Sequence, residues 1–208
     1  MKGRFIELWK RIGAQSDPDP EFTKLQTVYS QPQRFYHNIK HIGNCLVDLD
    51  SAKHLTDRLD LVELAIWYHD VIYDTQAKDN EEKSAQLAYD VCMTAKLPEE
   101  LAKEAAALIL ATKHRGVPDG MNARILVDVD LSILGKQVQE FDEYEKNIRK
   151  EYSWVSEDQF KQGRSNILQM FLHRAKKDAL YSTDFFRNKY EAQAKRNLQR
   201  SIDSLLIR

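Results

Sequence analysis

Apolar side chains recur three and four positions apart along almost the whole chain, as at Tyr36, Ile39, Gly43 and Leu46 and again at Phe141, Tyr144 and Ile148. Clean alternation of apolar and polar positions is hard to find. This is the period of helices buried along one stripe, and it predicts an all-α protein. Punctuation agrees. Asp17-Pro18-Asp19-Pro20 separates a short first helix from a second. Pro32 precedes a helix over about 33–49, and Thr56 is placed to cap one over about 57–73. Asp79 and Glu82 have capping-box spacing for a helix reaching about Lys96, and Pro98-Glu99-Glu100 open another, closed by Gly116 and Pro118. The stretch Ala123 to Leu134 reads as buried. Its β-branched residues would suit a strand, but nothing nearby offers a pairing partner, so a helix is expected. Three more helices are expected over about 138–152, 157–175 and 183–206.

Composition narrows this picture. No repeat, low-complexity tract or linker divides the 208 residues. Residues 1–208 therefore read as a single helical domain, with a core over about 33–135 and a helical extension over about 136–208. Glycine (7) and proline (5) are scarce, which disfavours sandwiches and barrels with their many tight turns. Lysine and arginine number 31 against 32 aspartates and glutamates, a net charge of −1, so no global field draws the chain to nucleic acid or membrane. No basic stripe suits a nucleic-acid partner. Cys45 and Cys92 are isolated, outside any CxxC spacing, which fits a reducing, cytoplasmic setting. The longest apolar runs, Leu64 to Tyr68 and Ala105 to Ala111, are too short to span a bilayer, and MKGRFIELWKRIG lacks the uninterrupted apolar region of a secretory signal.

Three elements carry candidate chemistry. His37 and His41 are four apart, so on a helix both rings project from one face; an isolated pair of this kind is otherwise a surface feature with no task. His69-Asp70, at the end of the apolar run through Trp67-Tyr68, offers an imidazole nitrogen beside a carboxylate oxygen, a ligand set for a divalent metal. Burying such a pair costs several kcal/mol without compensation, although a core histidine with a hydrogen-bonded aspartate is the alternative. Asp128 and Asp130 place two carboxylates among aliphatic residues, with helix capping as the rival explanation.

Together, His41, then His69-Asp70, then Asp130 on an all-helical background resemble the HD-domain superfamily of metal-dependent phosphohydrolases. Tyr36-His37-Asn38 with His41 looks like the YHNxxH element of the cyclic-nucleotide phosphodiesterases. The wider pattern of RxYHNxxHI from Arg34, WxHDxxYD from Trp67, NExxSA from Asn80, DxDLSILG from Asp128, IRxEY from Ile148 and GRxxIL from Gly163 resembles a bacterial family of predicted HD phosphohydrolases. The resemblance implies His41, His69, Asp70 and Asp130 as metal ligands and His37 as the group that protonates the leaving oxygen. The choice of Asp130 over Asp128 rests on the residues that follow it, and Asp128 would then orient a ligand or a bound water. One tightly bound divalent ion (Mn, Mg, Fe, Co, Ni or Zn) is implied, with a second, mostly water-held ion possible. The expected activity is hydrolysis of a phosphate ester of a small metabolite, a nucleotide foremost, by metal-activated water. The alternative is a regulatory module that binds a phosphorylated ligand without cleaving it.

Asp74, four residues past Asp70, can share its helix face and hold an attacking water, or can be a solvated helix-end carboxylate. Asn80 and Glu81 can reach the same pocket, although the capping-box neighbourhood explains most of that acidity without catalysis. Arg34, Lys113, His114 and Arg115 are candidate partners of the substrate phosphate, while the last three also suit a helix C-terminus. Tyr36 or Tyr73 can stack on a base. The apolar positions Leu205, Leu206 and Ile207 would suit a homo-oligomeric contact.

Overall fold

The computed structural model describes residues 1–114 and 116–206. Among them are ten α-helices, two short 3-10 turns and no strand, so the all-α expectation holds. The helices group into two compact units, Met1–Val127 and Asp128–Arg208. The division therefore falls before the expected boundary near residue 135, because the 3-10 turn Leu131–Gly135 packs against helices of the second unit.

The first unit contains α1 (Lys2–Arg11), α2 (Pro18–Tyr29), α3 (Ile39–Ala52), α4 (Leu59–Tyr68), α5 (Asn80–Thr94), α6 (Glu99–Ala111) and most of α7 (Gly120–Asp130), the helix in which the division falls. Its hub is α4, which packs against α1, α3, α5 and α6. Leu61 through Tyr68 are all buried, as a helix apolar on every side requires. The one charge among them, Glu63, accepts from Arg4 Nε at 2.8 Å and Arg11 Nη2 at 3.0 Å, which offsets its desolvation. Phe5 and Phe22 set their rings against Trp67 with centroids 5.3 and 6.1 Å away.

Several helix ends differ from expectation. Residues 33–38 are not helical: α3 begins at Ile39, where the Asn38 side-chain oxygen accepts from the amides of Lys40 (2.9 Å) and His41 (3.4 Å) and so serves as the N-cap. The Thr56 hydroxyl accepts from Arg58 N within a turn, and α4 starts only at Leu59 and stops at Tyr68. Asp79 caps no amide with its side chain. It pairs with Lys83 at 3.0 Å, and Glu82 pairs with Lys113, so no capping box forms. By contrast, Asp17 caps α2 through the Asp19 amide, and Glu99 and Glu100 open α6 as expected.

The second unit holds the 3-10 turn, α8 (Val138–Glu151), α9 (Glu157–Lys177) and α10 (Asp184–Leu206), with α10 packed on α9 and on the turn. Gly135 lies so close to α10 that a Cβ there would stand 2.7 Å from the Tyr190 carbonyl oxygen and 2.9 Å from Tyr181 Oη. The Tyr181 hydroxyl donates to the Leu131 carbonyl, and Asn197 Nδ2 donates to the carbonyls of Leu134 and Lys136. Leu205 is half-buried, while the side chain of Leu206 and all of Ile207 lie outside the described structure. Among the described residues no helix is long and apolar enough to cross a membrane.

Candidate metal centre

His41 lies in the first turn of α3 and is buried, with Cys45 Sγ packed 3.7 Å from its ring nitrogens. His69 follows the last residue of α4, and Asp70 follows His69. The chain stops being helical here, and its carbonyls need other donors. The amide of His69 takes Ala65 O, His69 Nδ1 takes Ile66 O at 2.9 Å, the Tyr29 hydroxyl takes Trp67 O at 2.9 Å, and the Val71 amide takes Tyr68 O.

The Ile66 contact fixes the chemistry of the ring. A carbonyl only accepts, so His69 carries a hydrogen on Nδ1, and in the neutral ring Nε2 is the nitrogen that aims a lone pair. That nitrogen faces Asp70 Oδ2 at 3.1 Å and His41 Nε2 at 3.2 Å, and His41 Nε2 lies 3.4 Å from Asp70 Oδ2. A lone pair aimed at a carboxylate oxygen is repulsive unless positive charge sits between them. Bonds of ~2.1 Å to one ion place cis donors ~3.0 Å apart in an octahedron and ~3.4 Å apart in a tetrahedron. The three edges fall in that range. Asp130, the last residue of α7, completes the group: one donor atom from each of His41, His69, Asp70 and Asp130 lies within 4.8 Å of the others. Two neutral imidazoles and two carboxylates balance a divalent cation, so the residues present fit one. Without an ion between them, burial pushes the Asp70 carboxyl up, while positive charge on the protonated His69 and His37 rings and hydrogen bonds from His41 and His69 more than reverse this and hold it well below the usual carboxylate range, the work that a bound cation would otherwise do.

His37 is beside this cluster, though not by the expected route. It precedes the Asn38 cap and so shares no helix face with His41; the turn over 33–38 folds its ring to 5.9 Å from that of His41. The ring is half-buried, stacked on Tyr73 at 4.0 Å and edge-on to Tyr36 at 4.9 Å. Tyr73 also has the Arg34 guanidinium 5.8 Å from its centroid.

Other expected site residues have different occupations. Arg34 is buried, and its guanidinium donates to the carbonyls of Asp70 (2.6 Å), Val71 (2.9 Å) and His37 (3.1 Å) and to Gln31 Oε1 (3.3 Å), which is the geometry of a backbone clamp. Asp128 is fully buried, and its carboxylate accepts from Ser182 N, Thr183 N and Thr183 Oγ1, each at 2.7 Å, next to the start of α10. Residues two apart on a helix face ~200° apart, so Asp128 and Asp130 serve different neighbours. Burial pushes the Asp128 carboxyl up and the three hydrogen bonds return part of that shift.

Because α4 ends at Tyr68, Asp74 shares no helix face with Asp70. Its carboxylate is exposed and accepts from Gln76 N inside a turn. Lys113 lies past the end of α6 and pairs with Glu82, and His114 adopts a positive φ of 56° after that helix. Arg115 lies outside the described residues. Glu81 is half-buried in the first turn of α5.

Two residues act on the backbone after His69-Asp70: Ser84, which the sequence reading missed, and Asn80, expected to reach the pocket and found on the backbone. Ser84 Oγ accepts from Ile72 N (3.0 Å) and donates to Ile72 O (3.3 Å). Asn80 accepts from Asp74 N (3.0 Å) and donates to Asp74 O (2.9 Å). Their signal was the NExxSA pattern, whose two polar side chains are spaced four apart toward one loop. Compared with known proteins, the chain matches no protein-family model, no curated protein and no solved structure.

Proposed function

We propose that this chain is a metal-dependent phosphohydrolase of the HD-domain type, acting on a phosphate ester of a small metabolite. The observation that carries the proposal is His69 Nε2 held 3.1 Å from Asp70 Oδ2 and 3.2 Å from His41 Nε2, an arrangement that calls for positive charge in its midst and that a shared divalent cation supplies with all three groups in their ordinary ionisation states. The order of the ligands along the chain and the YHNxxH element support the superfamily.

His41, His69, Asp70 and Asp130 would hold the ion. When bound, a divalent cation supplies a Lewis acid that polarises a phosphoryl oxygen and lowers the pKa of water toward neutrality. Burial of His41 and His69 excludes bulk water from one side of the centre and strengthens the electrostatics there. His37, half-buried and stacked on Tyr73, would give a proton to the departing alkoxide as the ester P–O bond breaks and the water oxygen bonds to phosphorus.

The test is elemental analysis of the purified protein and of His69→Ala and Asp70→Ala, followed by phosphate release from nucleotides and sugar phosphates with Mn²⁺, Mg²⁺, Co²⁺, Ni²⁺ or Zn²⁺. The expected result is near-stoichiometric metal in the parent, loss of metal and turnover in both variants, and cleavage of at least one ester. Parent protein with no affinity for any of these ions would mean that a proton on His69 relieves the repulsion, and the proposal would fail. Tight metal binding with no turnover on any ester would leave a phospho-ligand binding module.

A further inference from the structure

We propose that Arg34 is a positioning residue of the metal centre, fixing the backbone of His37 and the backbone of Asp70 to one rigid group. The inference rests on the metal-centre reading above and adds how the proton-holding imidazole and the ligand carboxylate are kept in register.

The turn that carries His37 and the segment that carries Asp70 come from distant parts of the chain, and neither is helical. Without a helix, the backbone polar groups of both must be satisfied individually, and whatever satisfies them sets their conformation. Arg34 does this for both segments at once. Its Nη1 donates to His37 O at 3.1 Å and to Asp70 O at 2.6 Å, and its Nη2 donates to Val71 O at 2.9 Å. A guanidinium is planar, keeps its charge, and holds its donors at fixed spacing, so two carbonyls bound to it cannot drift relative to one another. The rings of Tyr29 (5.2 Å) and Tyr73 (5.8 Å) flank the group, and Tyr73 in turn stacks on His37.

The remaining contacts make the segment after α4 over-determined. Tyr29 holds Trp67 O, Ser84 holds both backbone groups of Ile72, and Asn80 holds both backbone groups of Asp74. Asp70 and Val71 lie between these anchors, and their carbonyls depend on Arg34. A lysine would keep the positive charge but could not hold three carbonyls in one plane.

The experiment uses the full chain carrying Arg34→Lys. Three quantities are read: melting of the metal-free protein, Co²⁺ affinity by competition with a chromophoric chelator, and the visible spectrum of the Co²⁺ complex. The expected result is a metal-free melt lowered by the lost carbonyl bonds and, measured well below that melt, an affinity lower by ~10–100-fold and an altered Co²⁺ spectrum. A lowered melt with unchanged affinity and spectrum would show Arg34 to be a structural residue alone and overturn the inference. If the parent protein binds no divalent ion, the metal-centre reading fails and takes this inference with it. If the parent binds tightly and Arg34→Lys binds equally, only the role of Arg34 is lost. Should Arg34→Lys not fold, Gln31→Ala at an exposed position removes the Arg34 Nε bond together with a surface bond from Gln33, for which Gln33→Ala is the control; a severalfold loss of Co²⁺ affinity in Gln31→Ala and not in Gln33→Ala supports the inference, and an unchanged affinity overturns it.

Discussion

Replacing Asp128 separates two roles that a buried carboxylate two residues from a candidate metal ligand can have. In the structure it accepts three hydrogen bonds of 2.7 Å, two from backbone amides and one from the Thr183 hydroxyl. Asp128→Ala strands the buried Thr183 amide and weakens the half-buried Ser182 amide. An unsatisfied buried donor costs about 1–3 kcal/mol, and loss of a charged acceptor adds to it, so the total is about 3–5 kcal/mol. For a chain of this length each kcal/mol moves the melting temperature by about 2–4 °C, giving a drop of roughly 6–20 °C. Asp128→Asn keeps the shape but turns an NH₂ toward one of these donors, and about half that loss is expected. Thermal melts followed by circular dichroism, with urea titrations, measure the loss. Metal affinity, measured well below the melt, should be the same as in the parent. An Asn variant that melts like the parent but no longer binds metal would refute this assignment and restore Asp128 to the site.

Two further outcomes follow from the geometry. Gly135→Ala forces a methyl against the Tyr190 carbonyl oxygen, a backbone atom that can yield only if α10 shifts, and should destabilise by roughly 1–3 kcal/mol in urea unfolding; a parent-like midpoint would show that α10 yields without cost and refute the argument. Metal at one hundred times its Kd should stabilise by about 2.7 kcal/mol, so a chelator should lower the melt by about 5–10 °C in the parent and have no effect on His69→Ala. An equal effect on both would place the bound ion elsewhere.

What could be read from the sequence was what periodicity and cost encode. Three- and four-residue spacing gave the helices, and the expense of burying His69 and Asp70 in an apolar run marked them before any fold was known. What could not be read was where regular structure stops. Asn38 outcompetes Pro32 as a start signal because its side chain satisfies two amides, and that moves His37 off the helix. The end of α4 at Tyr68 removes the shared face invoked for Asp74. Arg34 shows the same blind spot: a cation near candidate phosphate chemistry suggests an anion partner, while the demand of unpaired carbonyls for a donor appears only once the chain has left the helix. Asp128 and Asp130 look alike in composition, and only the turn of the helix sends them to different neighbours.

The early stop of α4 has a consequence for how this protein tolerates change. Were the helix to continue by another turn, the amide of residue 70 would compete for the Ile66 carbonyl, weakening the bond that holds the His69 hydrogen on Nδ1 and favouring the tautomer with the hydrogen on the nitrogen now directed at Asp70. A substitution that only raised helix propensity just beyond Tyr68, harmless by every measure of packing, could in this way shut the centre by exchanging a lone pair for a proton.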